Sequence, residues 1–320
     1  MKIDKILLTG ATGFIGKELV SKLLKQGYEI HTIERYVTGR YSLDQKDSVI
    51  KHYANLTDYN RVRTIVKEVQ PNAVIHLAAI SAVSFSYDNY IEVNEVNYLG
   101  SINLAEACRQ EANNFKQFIT AGTSEEYGLS ILSTEEKLTE ESPLIPNSPY
   151  AVAKVAFDYY LKYMGMAYDF PYTVIRPFNT YGRKDNKHFF IERTITQMLS
   201  QEKVSLGDPN TVRDWVYVDD HVNIYIKALG NDKAIKQTFN MCSGKGYTTK
   251  ETAEIIAKLT NFKGEILWNQ TPKRLLDAKV HIGDNSRAKE LLGWESQYTL
   301  EDGLKRTVEY WKNKENVKEL

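Results

Sequence analysis

The sequence predicts an α/β fold: a doubly wound parallel sheet with a smaller α/β unit beside it. Three observations predict it. Short apolar runs alternate with helical stretches through the first half of the 320 residues, as successive βαβ units require. The first run ends in a glycine-rich turn that opens directly into a helix. The second half keeps strands and helices but spaces them less regularly, which sets it apart as a second unit.

The elements follow in order. Residues 5–9 form an apolar strand closed by Gly10, and Leu19, Val20, Leu23 and Leu24 mark a helix over 16–26 that Gly27 stops. Residues 29–34 read as a strand, and 60–69 as a helix with Pro71 beyond it. Residues 73–78 (AVIHLA) are apolar enough for a strand buried on both faces. An amphipathic helix is expected at 96–110, a strand at 116–121, a helix at 150–163 and an extended segment at 173–176. The second half predicts a helix at 189–199, a strand at 213–218, a helix at 219–229 and a strand at 238–241. A helix over 249–260, with Thr249 as its N-cap, precedes terminal helices at 286–292 and 300–312.

Composition excludes several classes of function. The chain is 42% hydrophobic and 26% charged, as in ordinary globular proteins. Its 41 basic residues are balanced by 41 acidic ones, which argues against nucleic-acid binding by bulk charge. Cys108 and Cys242 are far apart and the six histidines form no H-E-x-x-H pattern, so no metal site is expected. No apolar run reaches the roughly 18 residues of a membrane span, and the N-terminus enters a strand at once. A cytoplasmic location is expected. The unusual count is 21 tyrosines, against 11 phenylalanines and 4 tryptophans.

Three motifs carry chemistry. In Thr9-Gly10-Ala11-Thr12-Gly13-Phe14-Ile15-Gly16, glycines at GxxGxxG spacing let the backbone approach a pyrophosphate, and the following helix offers free N–H groups and a positive dipole end. Glu34 ends the next strand, placed to accept from adenosine ribose hydroxyls and to disfavour a 2′-phosphate, while Arg35 beside it has the opposite preference. Together these features outweigh the alternative of a turn with no ligand. In Tyr150-Ala151-Val152-Ala153-Lys154, the tyrosine and lysine share a helical face. An ammonium near a phenol favours the phenolate, which can take the proton of a sugar hydroxyl as hydride leaves the same carbon. By spacing alone such pairs are usually surface decoration. Thr123-Ser124-Glu125-Glu126-Tyr127-Gly128 follows a strand end, where open α/β sheets bind ligands.

Read together, GATGFIG, NLTD, VIHLAA, TSEEYG, YAVAK, RPFNTYG, VRDWVYVDD and the closing SRAKELLGW resemble the extended short-chain dehydrogenase/reductase family, whose members act on nucleotide sugars. The resemblance covers nearly the whole chain. It implies a Rossmann-type domain at residues 1–176 and 214–242 and a smaller α/β nucleotide-sugar-binding domain at 177–213 and 243–320.

Thr123-Ser124-Glu125 is similar to the triplet of GDP-mannose 4,6-dehydratases and also occurs in UDP-glucuronate decarboxylases, whereas simple 4-epimerases usually lack the glutamate. Arg213-Asp214-Trp215 resembles 4,6-dehydratases. The stretches beginning at Ser81 and Phe190 lean the same way, and the one beginning at Arg176 reads like other branches. The expectation is a nucleotide-sugar 4,6-dehydratase, with a GDP-sugar favoured and UDP-N-acetylglucosamine or dTDP-glucose next. The alternatives are a 4-epimerase or UDP-glucuronate decarboxylase. A non-catalytic nucleotide sensor is disfavoured by the complete set of Thr123, Glu125, Tyr150 and Lys154.

The resemblance also implies roles for individual residues. Tyr150 and Lys154 start C4 oxidation, and Thr123 polarises the C4 oxygen. Glu125 serves as C5 base and then as acid for the departing C6 hydroxyl, beside Ser124. NAD, with NADP the second choice, is expected on Gly10, Thr12, Gly13, Phe14, Ile15, Gly16, Glu34, Arg35, Asn55, Leu56, Leu77, Ala78, Ala79, Asn97, Tyr150, Lys154 and Pro177. Asn55 stands where the family usually has aspartate. Ser81, Asn179, Arg213 and Arg274 are expected at the substrate, the last in an RLLD that replaces the family's RPxD. Helices 96–110 and 150–163 correspond to those that pair two subunits in relatives, so a homodimer is expected.

Overall fold

The computed structural model describes residues 1–35, 48–131, 133–184, 186–271 and 276–316. Strands β1 (Lys5–Thr9), β2 (Glu29–Glu34), β3 (Val49–Tyr53), β4 (Ala73–His76), β5 (Gln117–Ala121) and β6 (Tyr172–Pro177) carry the first half. They are followed by β7 (Asn179–Tyr181), β8 (Lys203–Ser205), β9 (Val212–Tyr217), β10 (Gln237–Met241), β11 (Gly246–Thr248), β12 (Glu265–Leu267) and β13 (Val280–His281). The helices are α1 (Phe14–Lys25), α2 (Tyr59–Val69), α3 (Val83–Asp88), α4 (Tyr90–Asn94), α5 (Gly100–Glu111), α6 (Pro149–Tyr168), α7 (Phe190–Ser200), α8 (Val218–Ala228), α9 (Thr249–Thr260), α10 (Ser286–Leu292) and α11 (Leu300–Asn316).

Seven parallel strands form one sheet in the order β10-β6-β5-β4-β1-β2-β3. Successive strands run outward from β1 in one direction and from β4 in the other, so the order reverses between them and leaves a crevice at their carboxyl ends. Both faces are covered. On one, Leu19 and Val20 of α1 and Val222 and Tyr225 of α8 pack on Ile6, Leu8 and Ile75. On the other, α2, α5 and α6 bring Val62, Leu104 and Phe157 against Leu7, Val74 and Phe118. Burial on both sides is why Ala73, Val74 and Ile75 of β4 form an unbroken apolar run rather than an alternating one. The smaller unit holds the sheet β11-β9-β13, joined by β7 on β9, and the pair β12-β8. Its core gathers Ile195, Trp215, Ile256, Leu304 and Trp311.

Several expectations are corrected. The helix predicted at 96–110 begins as a π-turn over Glu95–Leu99 and becomes α-helical only at Gly100. The strand predicted at 73–78 ends at His76, because the Leu77 N–H makes the last ladder bond, to the Thr9 carbonyl, and the Ala78 N–H turns to the Thr9 hydroxyl. The N-cap of α9 is Thr248, not Thr249: its hydroxyl accepts from the Glu251 N–H, and Glu251 returns to the Thr248 N–H. Helix α6 runs on past 163 to Tyr168 and stops at Asp169, whose φ is +55°. Strand β3 carried little signal, since only Val49 of its five residues is buried.

Candidate active site

The glycine turn sits at the mouth of the crevice. Gly10 has φ +74° and packs so closely on β4's exit that a Cβ there would lie 2.7 Å from the Ala78 nitrogen. Gly16 packs under the turn, where a Cβ would come 2.1 Å from the Gly10 carbonyl oxygen. Gly13, the N-cap of α1, is exposed, and a Cβ there would meet only that same oxygen, at 3.2 Å. Two glycines therefore shape the turn, and the third leaves its outer side open. Thr12, Phe14 and Ile15 are partly exposed around it.

The floor of this region is held by a buried relay. The Thr9 hydroxyl accepts from the Ala78 N–H and lies 2.7 Å from His76 Nδ1. His76 Nε2 lies 2.8 Å from the Ser101 hydroxyl, which donates to the Asn97 carbonyl. Because the serine proton is already committed, His76 donates from Nε2 and accepts at Nδ1 from Thr9. Burial pushes its pKa down to about 3, so the ring is neutral. Asn97 is fully buried, and its amide brackets the Ile80 peptide, accepting its N–H at 2.8 Å and donating to its carbonyl at 2.9 Å. Asn97 thus fixes the course of residues 77–80 from the π-turn. Leu77, Ala78 and Ala79 are partly exposed there and Ser81 is exposed.

At the outer edge, Glu34 accepts from the Thr32 hydroxyl at 3.1 Å and lies 3.8 Å from Lys51. Arg35 beside it is exposed. Asn55 is exposed and uses its side-chain oxygen on the Thr57 N–H, while Leu56 is buried in the core under α5. Pro177 closes β6.

Ser124–Glu126 form a single 3₁₀ turn just past β5, with Thr123 as its N-cap. Helix α6 enters behind it, capped by Ser148 and led by Pro149. Its first face sets Tyr150 beside Thr123, whose hydroxyl favours the phenolate, and brings the Lys154 ammonium to 2.8 Å from the Ala121 carbonyl, to which it donates. Tyr150, Thr123 and Ser124 are buried, while Glu125 is half-buried. Burial raises the Tyr150 pKa, and the Thr123 hydrogen bond opposes that only in part. The phenol is therefore not depressed as the Tyr–Lys spacing predicts: loss of water around it and the nearby carboxylates of Glu126 and Glu125 all favour the neutral form. Burial also pulls Lys154 down to about 8, with Glu126 acting against it.

Two of the residues expected at the substrate, Asn179 and Arg213, lie on β7 and β9. Asn179 and Trp215 are register partners, and the Asn179 side-chain oxygen and the Trp215 indole N–H are buried with no hydrogen-bond partner in the protein. The Nε of Arg193 on α7 is in the same condition. Unpartnered buried groups of this kind fit a site built for a polar ligand. Arg213 donates to Asp277 at 3.1 Å and to the Val212 carbonyl at 2.9 Å. Arg274 lies outside the described residues.

Sequence reading missed Arg193, His76 and Arg183. The Arg183 guanidinium stacks 3.6 Å over Phe189 and 4.7 Å over Phe14, joining the segment after β7 to the glycine turn. Only an arginine following a YG turn signalled it. His76 stood in a quoted motif, but its hydrogen-bond partners lie on other elements.

Comparison with known proteins adds to this geometry. Residues 7–307 match the family described as GDP-mannose 4,6 dehydratase. A UDP-glucose 4-epimerase from Mycolicibacterium smegmatis is 32% identical, covering 97% of this chain and 99% of its own. A crystal structure of UDP-glucose 4-epimerase with UDP-glucose, from Thermotoga maritima, superposes with a TM-score of 0.88 at 31% identity, covering 97% and 99% of the two chains. The Thermus thermophilus UDP-glucose 4-epimerase complex with NAD gives 0.87 at 29% identity, covering 96% and 99%.

Proposed function

The chain belongs to the GDP-mannose 4,6-dehydratase family of extended short-chain dehydrogenase/reductases, and on that footing we propose that it is an NAD-dependent nucleotide-sugar 4-epimerase. The observation that carries the reading is the buried Tyr150 beside Thr123, with Lys154 one helical turn further along α6. The turn at Gly10, Gly13 and Gly16, open on its outer side, fits a dinucleotide pyrophosphate at the head of α1. Glu34 fits the adenosine ribose. NAD supplies the hydride acceptor and donor at this site.

The protein's own residues handle the proton and the orientation. Tyr150 takes the proton of the C4 hydroxyl and returns it at the end of the turnover. Thr123 holds the C4 oxygen, and the ammonium of Lys154 supports the phenolate while the proton is away. Asn179 and Arg213 hold the diphosphate on the side of the smaller unit. The dinucleotide half then comprises residues 1–176 and 214–242 and the sugar-nucleotide half 177–213 and 243–320, with β9 crossing the boundary.

A second reading is favoured by one observation, the half-buried Glu125 on the Thr123 turn. A carboxylate there can remove the C5 proton of a 4-keto sugar and give it to the C6 hydroxyl as water leaves, the 4,6-dehydration that the sequence suggested. Incubation with NAD and UDP-, GDP- and dTDP-hexoses, followed by mass spectrometry and NMR, separates the two. Unchanged mass with inverted C4 is the expected result; loss of water replaces it with dehydration, and loss of CO₂ from a uronate with decarboxylation. Melting shifts with UDP, GDP, dTDP and CDP identify the base.

The proposed assembly is a homodimer. Ile91 (62% exposed), Leu99 (50%), Val152 (49%), Tyr159 (58%) and Met166 (82%) lie on α4, the π-turn and α6, which pack against one another. A face this apolar is suited to a second copy. Cys108 and Cys242 are buried and unbridged, which supports the cytoplasmic location.

A further inference from the structure

Under the Thr123 turn lies a buried ionic network that the reaction does not use directly. Glu126 is fully buried. One of its carboxylate oxygens accepts the Thr123 N–H at 2.9 Å, and the other accepts Arg176 Nε at 2.8 Å. Arg176 Nη1 donates to the Tyr127 hydroxyl at 3.0 Å, and Nη2 donates to Asp158. The Tyr127 hydroxyl donates to the Asn240 side-chain oxygen at 2.7 Å, and the Asn240 amide nitrogen donates to the Leu138 carbonyl. Asp158 follows Lys154 by four residues and Tyr150 by eight, so the three share one face of α6. Gly122 leaves room for the cluster: a Cβ there would lie 2.6 Å from a Glu126 carboxylate oxygen.

We propose that Glu126 is a positioning residue: through the Thr123 backbone, Arg176 and Asp158 it locks the catalytic turn to the helix that carries Tyr150 and Lys154. The inference rests on Tyr150 and Lys154 being the reacting pair. An ordinary core contact would be met by an apolar side chain of similar size. Here each carboxylate oxygen binds a different element, β5's exit and β6, and Arg176 extends the link to α6. Glu126 also faces charge from every side: Arg176 on β6, and Asp158, Lys154 and Tyr150 on α6. Glu125 on the same turn faces Tyr150, His76 at the end of β4 faces Lys154, and Glu140 faces Tyr127. Burial raises the Glu126 carboxyl to about 7 against the pull of Arg176, and at the alkaline pH where Lys154 loses its proton the ionised carboxylate favours the Lys154 ammonium.

The test uses the full chain. Glu126→Gln keeps the acceptor for the Thr123 N–H and removes the charge. On whichever nucleotide sugar is turned over, kcat is expected to fall at least about tenfold with KM within about twofold, and the alkaline loss of activity to move about one pH unit lower. Glu126→Asp keeps the charge but is too short to span Thr123 and Arg176. It is expected to lose kcat in the same way while leaving the alkaline limb in place, and it serves where the glutamine variant does not fold. Wild-type kcat in the aspartate variant, or an unmoved alkaline limb in a folded glutamine variant, overturns the proposal. A readout independent of turnover is the NMR titration of the Lys154 ε-carbon signal, assigned by its loss in Lys154→Met. Its midpoint falls in Glu126→Gln if the proposal holds and stays in place if it does not. If no nucleotide sugar is turned over, the assigned function fails, and this titration still decides the role of Glu126.

Discussion

Replacing His76 by leucine isolates a quantity that the fold sets and the sequence does not. In the native protein His76 is neutral, with its pKa pushed down from 6.5 to about 3 by burial, and its two ring nitrogens bridge Thr9 and Ser101. At pH 7.5, His76→Leu is expected to cost about 2–4 kcal/mol, from two lost hydrogen bonds and two hydroxyls left short of a partner. The pH dependence is sharper. Since the folded pKa is depressed, the unfolded chain binds the extra proton, and this contribution to stability falls as pH drops from 6.5 toward 3. Between pH 7.5 and pH 5.0 the wild type loses about 2 kcal/mol through His76 alone, at about 1.36 kcal/mol per pH unit. Leucine has nothing to protonate, so the stability gap between variant and wild type closes by that amount at pH 5.0. Urea unfolding at the two pH values, followed by tryptophan fluorescence, measures it. A gap that stays constant or widens refutes the neutral, donor-at-Nε2 histidine and the relay built on it.

Three further outcomes follow from the geometry. Gly16→Ala places a Cβ 2.1 Å from the Gly10 oxygen and is expected to destabilise the fold by several kcal/mol, whereas Gly13→Ala leaves the melting temperature nearly unchanged and weakens NAD binding in a calorimetric titration. Activity that depends on the Lys154 ammonium is expected to decline above pH of about 8, and Lys154→Met to abolish that limb together with most of kcat, without loss of folding. Leu99→Glu combined with Val152→Glu sets charge into the exposed apolar face of the π-turn and α6, and size exclusion should then show a monomer where the wild type elutes as a dimer.

Much of this protein was legible in its sequence because local rules carried it. Alternating apolar runs and helices gave the large parallel sheet, since strands buried on both faces must be apolar and a crossover must return on a helix. GATGFIG announced the dinucleotide turn, since Gly10 and Gly16 occupy spaces that admit no side chain. The i,i+4 spacing put Tyr150 and Lys154 on one face of α6.

The tertiary structure decided what depends on partners distant in the chain. It placed Asn97 on a π-turn, where its amide brackets the Ile80 peptide, and it turned His76 from an unremarkable strand residue into the centre of a relay. It raised the Tyr150 pKa where spacing alone argued for lowering it, because burial is a property of everything packed around a group and not of its neighbours in sequence. It also drew Glu126, Asp158 and Arg176, which local pattern leaves unrelated, into one buried cluster beneath the Thr123 turn. Sequence fixes spacing along an element; which charges face each other across elements, and how far water is excluded from them, is settled only when the elements pack.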